Sequence, residues 1–126
     1  MSMTFTRTEH SDGRVLSIHM TGVNTAAQSL ANAPKLGQRV RDHGYSGLIM
    51  NYQGCRFDHT VGQFAKVAEA LSEALPAHVR VAYVYDHSNL MHAAYITRLM
   101  KSAGFVTRAF EDFDTALSFA TNEDGE

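Results

Sequence analysis

Apolar residues in this chain recur in two rhythms, an alternation over short runs and a three-and-four spacing over longer ones, and the two rhythms take turns. Thr4 to Glu9 and Arg14 to Met20 are short β-type runs on either side of Ser11-Asp12-Gly13. Asp-Gly between such runs predicts a hairpin, because glycine accepts the positive φ of a tight turn. In the second run Leu16, Ile18 and Met20 fall on one face, and Val15, Ser17 and His19 on the other. Asn24 to Leu30 predicts a helical turn or two. Asn32-Ala33-Pro34 then predicts a fresh cap, with proline in the first turn of a helix that runs to about His43 and stops at Gly44. Gly47 to Tyr52 is apolar on both faces and belongs near the middle of a sheet. The polar stretch Gln53 to His59 reads as a loop. It leads into the clearest helix, Thr60 to Leu75, whose stripe is Val61, Phe64, Ala68, Leu71 and Leu75. Val79 to Tyr85 is the next strand, and a helix from about Ser88 to Ala103 stops at Gly104. Phe105 to Phe110 is the last strand, and Asp112 caps a short helix carrying Phe113, Ala116, Leu117 and Ala120.

The order β-β-α-β-α-β-α-β-α predicts an α/β fold with a five-stranded, mixed, mostly parallel sheet. Strands separated by single helices want right-handed parallel crossovers, and the opening hairpin adds an antiparallel edge. If each crossover goes to the neighbouring position, the strand order is 1-2-3-4-5 and the helices lie mainly on one face. That face would collect Leu16, Ile18, Leu48, Met50, Val81 and Tyr83. The opposite face would carry Ser17, His19, Asn51, Arg80 and Thr107, interrupted by Val15, Ile49, Ala82 and Val84, a mixture that predicts partial cover by a second subunit.

Composition narrows the function more than the fold. Residues 1–126 fit one domain, and 44% apolar against 19% charged residues is an ordinary globular balance. The formal net charge of −2 argues against nucleic acid or an anionic membrane as partner. Cys55 is the one cysteine, which suits a reducing compartment. Met1 to Glu9 lacks the apolar segment of a signal peptide, and no apolar run approaches the ~20 residues of a membrane span. A cytoplasmic location is the expectation, with no membrane insertion. Thr121 to Glu126 is polar and acidic and is expected to fray.

Several residues could carry chemistry. Thr60 is placed to cap the helix after the central strand, and a phosphate on it would sit at a helix N-terminus, where the dipole favours negative charge. Asp58, His59, Asp86, His87 and Glu111 fall just past the C-terminal ends of strands, the edge where open parallel sheets bind ligands. Adjacent Asp-His residues seldom reach one metal, and no ligand spacing of the His-x-x-x-His kind occurs, so no metal is predicted. Cys55 has His59 four residues on, but no nucleophile motif surrounds it. Gly-x-Ser-x-Gly, phosphate-loop and dinucleotide fingerprints are absent, so neither a catalytic residue nor a cofactor is predicted. Tyr83, Tyr85, Met91, Tyr95 and Met100 either pack the core or line an apolar cavity.

Three stretches carry a family resemblance: Leu48 to Gly54 followed by Phe57-Asp58 and an amphipathic helix; Val79 to Val84; and Ala103 to Asp112 followed by Asp114-Thr115-Ala116-Leu117. Together they resemble the small bacterial STAS-like proteins, related in fold to the anti-sigma-factor antagonists and more remotely to CRAL-TRIO lipid-transfer domains. The resemblance implies a non-enzymatic module that binds a protein partner; with the mixed sheet face, the expectation is a regulatory or scaffolding module that is also a homodimer. It also implies a phosphoacceptor at the start of the helix after the central strand, for which Thr60 is the match. Here seven residues, Gln53 to His59, stand between that strand and Thr60, more than in those antagonists. The remote lipid-carrier likeness implies an alternative, a carrier or sensor of a small apolar or lipid-like ligand.

Overall fold

The computed structural model describes residues 4–122. An antiparallel hairpin, β1 (Thr4–His10) and β2 (Val15–Thr25), opens the chain. Then come α1 (Ala26–His43), β3 (Gly47–Asn51), β4 (Cys55–Asp58), α2 (Val61–Ala74), β5 (Arg80–Val84), α3 (Leu90–Ser102), β6 (Thr107–Phe110) and α4 (Phe113–Thr121). The sheet runs β1-β2-β3-β5-β6, parallel everywhere except the hairpin, and β4 adds a sixth strand by pairing with the far end of β2. The neighbour-to-neighbour order expected from the sequence is the observed one. Only the strand count differs.

That difference lies in the stretch expected to be a loop. β2 extends to Thr25 and is paired first with β3, through His19↔Asn51, and then with β4, from Gly22↔Cys55. Between those pairs two residues of β2 oppose three, Tyr52 to Gly54, which makes a bulge. Gly54 takes a φ of 82°, where a side chain would be strained, and the Cys55 N–H donates back to the Tyr52 carbonyl at 2.9 Å. One extra residue changes which face each following side chain meets, so Cys55 is buried and Phe57 packs against the helical side of the core.

The helices are unequally divided. α1, α2 and α3 cover one face, closing over Leu16, Ile18, Leu48, Met50, Val81 and Tyr83. α4 alone covers the other, where Ala116, Phe119 and Ala120 pack on Val15, Ile49, Ala82 and Val84. The apolar residues that predicted cover by a second subunit are therefore covered from within the chain. Thr107 is a further correction. It pairs with Val81, which puts it on the three-helix face, and it is buried. Arg80 sits where expected, its guanidinium 4.3 Å from the Phe119 ring centre and its Nε–H donating to the Phe119 carbonyl.

α1 is one continuous helix rather than two pieces. Thr25 caps it by accepting from the Gln28 N–H at 3.2 Å, and Gly44 closes it at a φ of 68°. Pro34 lies within it on the exposed side, while Ala26, Ala33, Leu36, Gly37 and Val40 bury the other side. That packing offsets the roughly 3 kcal/mol that an interior proline costs. The expected frayed tail is corrected in its first residues: Thr121 is buried as the end of α4 and Asn122 forms its left-handed cap. Residues 123–126 lie outside the described residues. Among the described residues no helix is long and apolar enough to cross a membrane.

Two glycines set how closely the layers approach. A Cβ at Gly37 would lie 2.4 Å from the Ala74 carbonyl oxygen at the end of α2, and one at Gly47 would lie 2.5 Å from the Ala120 carbonyl oxygen of α4. Gly37→Ala should therefore lower stability by about 1–3 kcal/mol through overpacking, although alanine is the better helix former. Gly62→Ala is the control, because a Cβ there meets nothing within 4 Å and replaces a helical glycine. It should leave stability unchanged or raise it by up to about 1 kcal/mol. Urea midpoints of the two variants, compared with the parent, check both signs.

Candidate functional site

The C-terminal ends of β3, β5 and β6 meet at the Tyr52–Gly54 bulge, and a buried carboxamide holds them there. Asn89 closes the short 3-10 turn His87–Asn89 that precedes α3. Its Nδ2 donates to the carbonyls of Tyr52 (2.7 Å) and Cys55 (3.0 Å), and its Oδ1 accepts from the Asp86 N–H (2.9 Å). Asp86 works from the same turn. One carboxylate oxygen accepts from the Gly54 N–H (2.7 Å), and the other from the Ser88 N–H (2.9 Å) and hydroxyl (2.6 Å). The Ser88 hydroxyl first, and then the Gly54 N–H, hold this carboxyl below the usual carboxylate range. Gln53 completes the lacing, donating to the Glu111 carbonyl (3.1 Å) and meeting His19 Nε2 through its own carbonyl (2.8 Å).

The five edge residues singled out in the sequence thus part company. Asp86 is bound into the bulge. Glu111 contributes its backbone carbonyl and leaves its side chain exposed. Asp58 and His87 are exposed, whereas His59 turns inward. The two Asp-His pairs do not converge, and among the described residues no group of three or more His, Cys, Asp or Glu side chains is placed to hold a metal ion. Cys55 is buried, and burial followed by the Asp86 charge pushes its thiol up to about 11, so it stays protonated at neutral pH. His59 does not pair with it, because its Nε2 lies 3.2 Å from the Ser29 hydroxyl. That hydroxyl donates to Asn24 Oδ1 at 2.9 Å, so it accepts from His59, which fixes the ring as the Nε2–H tautomer.

The other side of the His59 ring faces an aromatic cluster. Phe57 lies at the centre, stacked on His92 (5.0 Å between ring centres), edge-on to Tyr52 (4.7 Å) and 5.4 Å from Phe64. His59 and Tyr95 contact Phe64 from either side. The Nδ1 atoms of His59 and His92 are both buried here without a hydrogen-bond partner. Burial lowers both imidazoles from their ordinary value of 6.5; for His59 the nearby His92 lowers it further, while Asp58 acts the other way. The cavity considered around Tyr83, Tyr85, Met91, Tyr95 and Met100 does not form as a set: Tyr83 and Met100 are fully buried core, whereas Met91 is exposed.

Thr60 caps α2 as expected, in a reciprocal arrangement. Its Oγ1 accepts from the Gln63 N–H at 3.1 Å, and its own N–H donates to Gln63 Oε1 at 2.8 Å. Val61, assigned to the buried stripe by spacing, is 71% exposed; Val67 takes a buried place on α2 instead. Leu90 (41% exposed) and Met91 (78% exposed) emerge from the first turn of α3, the helix beside α2. The exposed apolar side chains at this edge, and the bridging roles of Asn24, Ser29, Asn89 and His92, were missed by the sequence reading. A capping signature, Asp86-x-x-Asn89 ahead of an apolar helix, was available to find one of them.

No family model and no curated protein sequence matches the chain. Solved structures do. An anti-sigma factor antagonist from Mycobacterium paratuberculosis superposes with a TM-score of 0.69 at 22% identity, covering 95% of each chain. An uncharacterised protein with a SpoIIAA-like fold from Shewanella loihica superposes with a TM-score of 0.60 at 16% identity, covering 94% of this chain and 93% of that one. The fold is SpoIIAA-like. Within this SpoIIAA-like fold, the likeness includes the mixed sheet and its four flanking helices.

The neutral imidazoles give the edge a pH dependence. Each folded-state value lies below the unfolded one, so the unfolded chain takes up protons first as pH falls. Between about pH 8 and pH 6.5 stability should be level, and below that it should decline, whereas the depressed carboxyl of Asp86 acts only below its ordinary 3.8. Urea midpoints taken between about pH 8 and pH 5 should show that decline, and His59→Gln with His92→Gln should flatten it. A decline of the same slope in the double variant would assign it to other groups.

Proposed function

We propose that this chain is a regulatory binding module that docks a protein partner on the C-terminal edge of its sheet and acts in the cytoplasm. The observation that carries the reading is the exposure of Val61, Leu90 and Met91 on the first turns of adjoining helices. Covering a large apolar side chain stabilises a complex by about 1.5–3 kcal/mol, and a surface that meets another protein is a physical reason for leaving three of them out. The bulge beside them is pre-set by Asn89 and Asp86, so little ordering is required on docking. The superposable anti-sigma factor antagonist supports the same class of role.

Thr60 is the proposed control point. Thr60 is an exposed residue, as are Asp58 and Val61 near it. A phosphate there would be tolerated by the α2 N-terminus but would bring charge against the apolar patch, so modification should weaken docking. This reading assigns no reaction to the edge.

Affinity capture with the full chain from a lysate of its source organism, followed by titration of the purified candidate, tests the proposal. Val61→Asp with Met91→Asp should abolish binding while changing stability by no more than about 0.5 kcal/mol per site. Thr60→Asp retains a capping side chain while adding charge, and should weaken binding at unchanged stability. A partner that binds the double variant as tightly as the parent docks elsewhere and overturns the assignment. Light scattering on the same samples shows whether that partner is a second copy of the chain.

A further inference from the structure

A second recess lies away from the docking edge, between the opening hairpin and α1. It is a groove of about 480 Å³, within the ~300–1,000 Å³ of small-molecule sites. Ile18, Met20 and Met50 form its floor from the sheet, Leu36 walls it from α1, and Phe5 of the edge strand stands over it 46% exposed. The floor residues are core members that keep a residual exposure of 5–8%, whereas Leu16 and Leu48 are at 1% or less.

A second cavity adjoins the groove through common lining residues. This smaller cavity of about 50 Å³ has Met20, Asn32, Leu36 and Met50 in common with it and is lined further by Tyr52, Val67 and Leu71. Most of its lining is apolar, and Asn24, Ser29 and Asn32 are its polar members. The mouth is different in charge. Arg7 from β1 and Lys35 and Arg39 from successive turns of α1 line it, against a single carboxylate, Asp42. Asp42 is engaged by the Gln38 amide at 2.7 Å, and Glu9, further along β1, is engaged by the Tyr45 hydroxyl. A cationic mouth in a chain of net charge −2 is a local arrangement, not an overall bias. An elongated apolar interior behind such a mouth is complementary to a molecule with one alkyl chain and one anionic head.

We infer that the hairpin–α1 groove binds a single-chain anionic amphiphile, its alkyl chain along Ile18, Met20, Leu36 and Met50 and its head among Arg7, Lys35 and Arg39. The residues that would hold the ligand, Arg7, Ile18, Met20, Lys35, Leu36, Arg39 and Met50, are not the docking residues Val61, Leu90 and Met91, and each reading stands without the other.

Isothermal titration of the full chain with monomeric laurate, dodecyltrimethylammonium and acetate tests it. Laurate should bind at one saturable site; acetate should give no heat of binding, and the cationic analogue should bind at least tenfold more weakly. Lys35→Glu with Arg39→Glu, both at the groove mouth on α1, should weaken laurate at least tenfold with the urea midpoint of the chain retained. Absence of saturable laurate binding, equal affinity for the two alkyl ions, or an unaffected double variant overturns the inference. Phosphatidylglycerol vesicles separate the two sources of such a head: sedimentation with vesicles in the absence of laurate binding overturns the site in favour of a membrane surface.

Discussion

β3 is buried along its whole length, Gly47 to Asn51, and the rest of the architecture follows from that burial. A strand with no wet face needs an apolar layer on each side, and the two layers here are built differently. Leu48 and Met50 meet a three-helix layer, whereas Ile49 meets one short helix. The close fit of both layers is set by absent side chains: Gly37 lets α1 settle on the end of α2, and Gly47 lets α4 settle on β3 itself. Packing at this density leaves little freedom to rearrange, so variable features are confined to the sheet's C-terminal edge and to the hairpin side.

What could be read in the sequence was what local chemistry alone decides. α2 announced itself by a capping threonine and a three-and-four apolar rhythm, and α4 by Asp112, whose carboxylate accepts from the Thr115 N–H. The strand order was legible because each crossover helix returns the chain to the adjacent position. The misreadings share a different cause. Pro34 looks like a helix start, and only the tertiary burial of Leu36, Gly37 and Val40 carries α1 through it. β4 is four residues with a single fully buried side chain, too short for a period-two pattern to show. Thr107 was assigned to the wrong face because register, not residue type, decides which way a strand residue points.

The edge residues were legible in type but not in role. An Asp and a His in adjacent positions look equivalent wherever they occur, yet Asp86 became a bracket for the bulge and His87 stayed in solvent. Likewise His59 entered an aromatic cluster while Asp58 stayed out. The discriminating partners, Asn24, Ser29, Asn89 and His92, come from other elements and are brought together only by the fold. The hairpin–α1 groove was invisible for the same reason, since its lining comes from β1, β2, α1 and β3 and is assembled only by the fold.

The single-helix layer bears on how the protein is made. α4 is the last of the described elements to leave the ribosome, and until it does, Val15, Ile49, Ala82 and Val84 have no cover. A nascent chain that has already assembled its hairpin and three crossovers therefore carries an apolar stripe across a sheet with an open edge at β6. Such a surface is one that chaperones recognise and that pairs wrongly with itself. The interval between synthesis of Phe110 and release of Thr121 is the period in which this fold most needs protection.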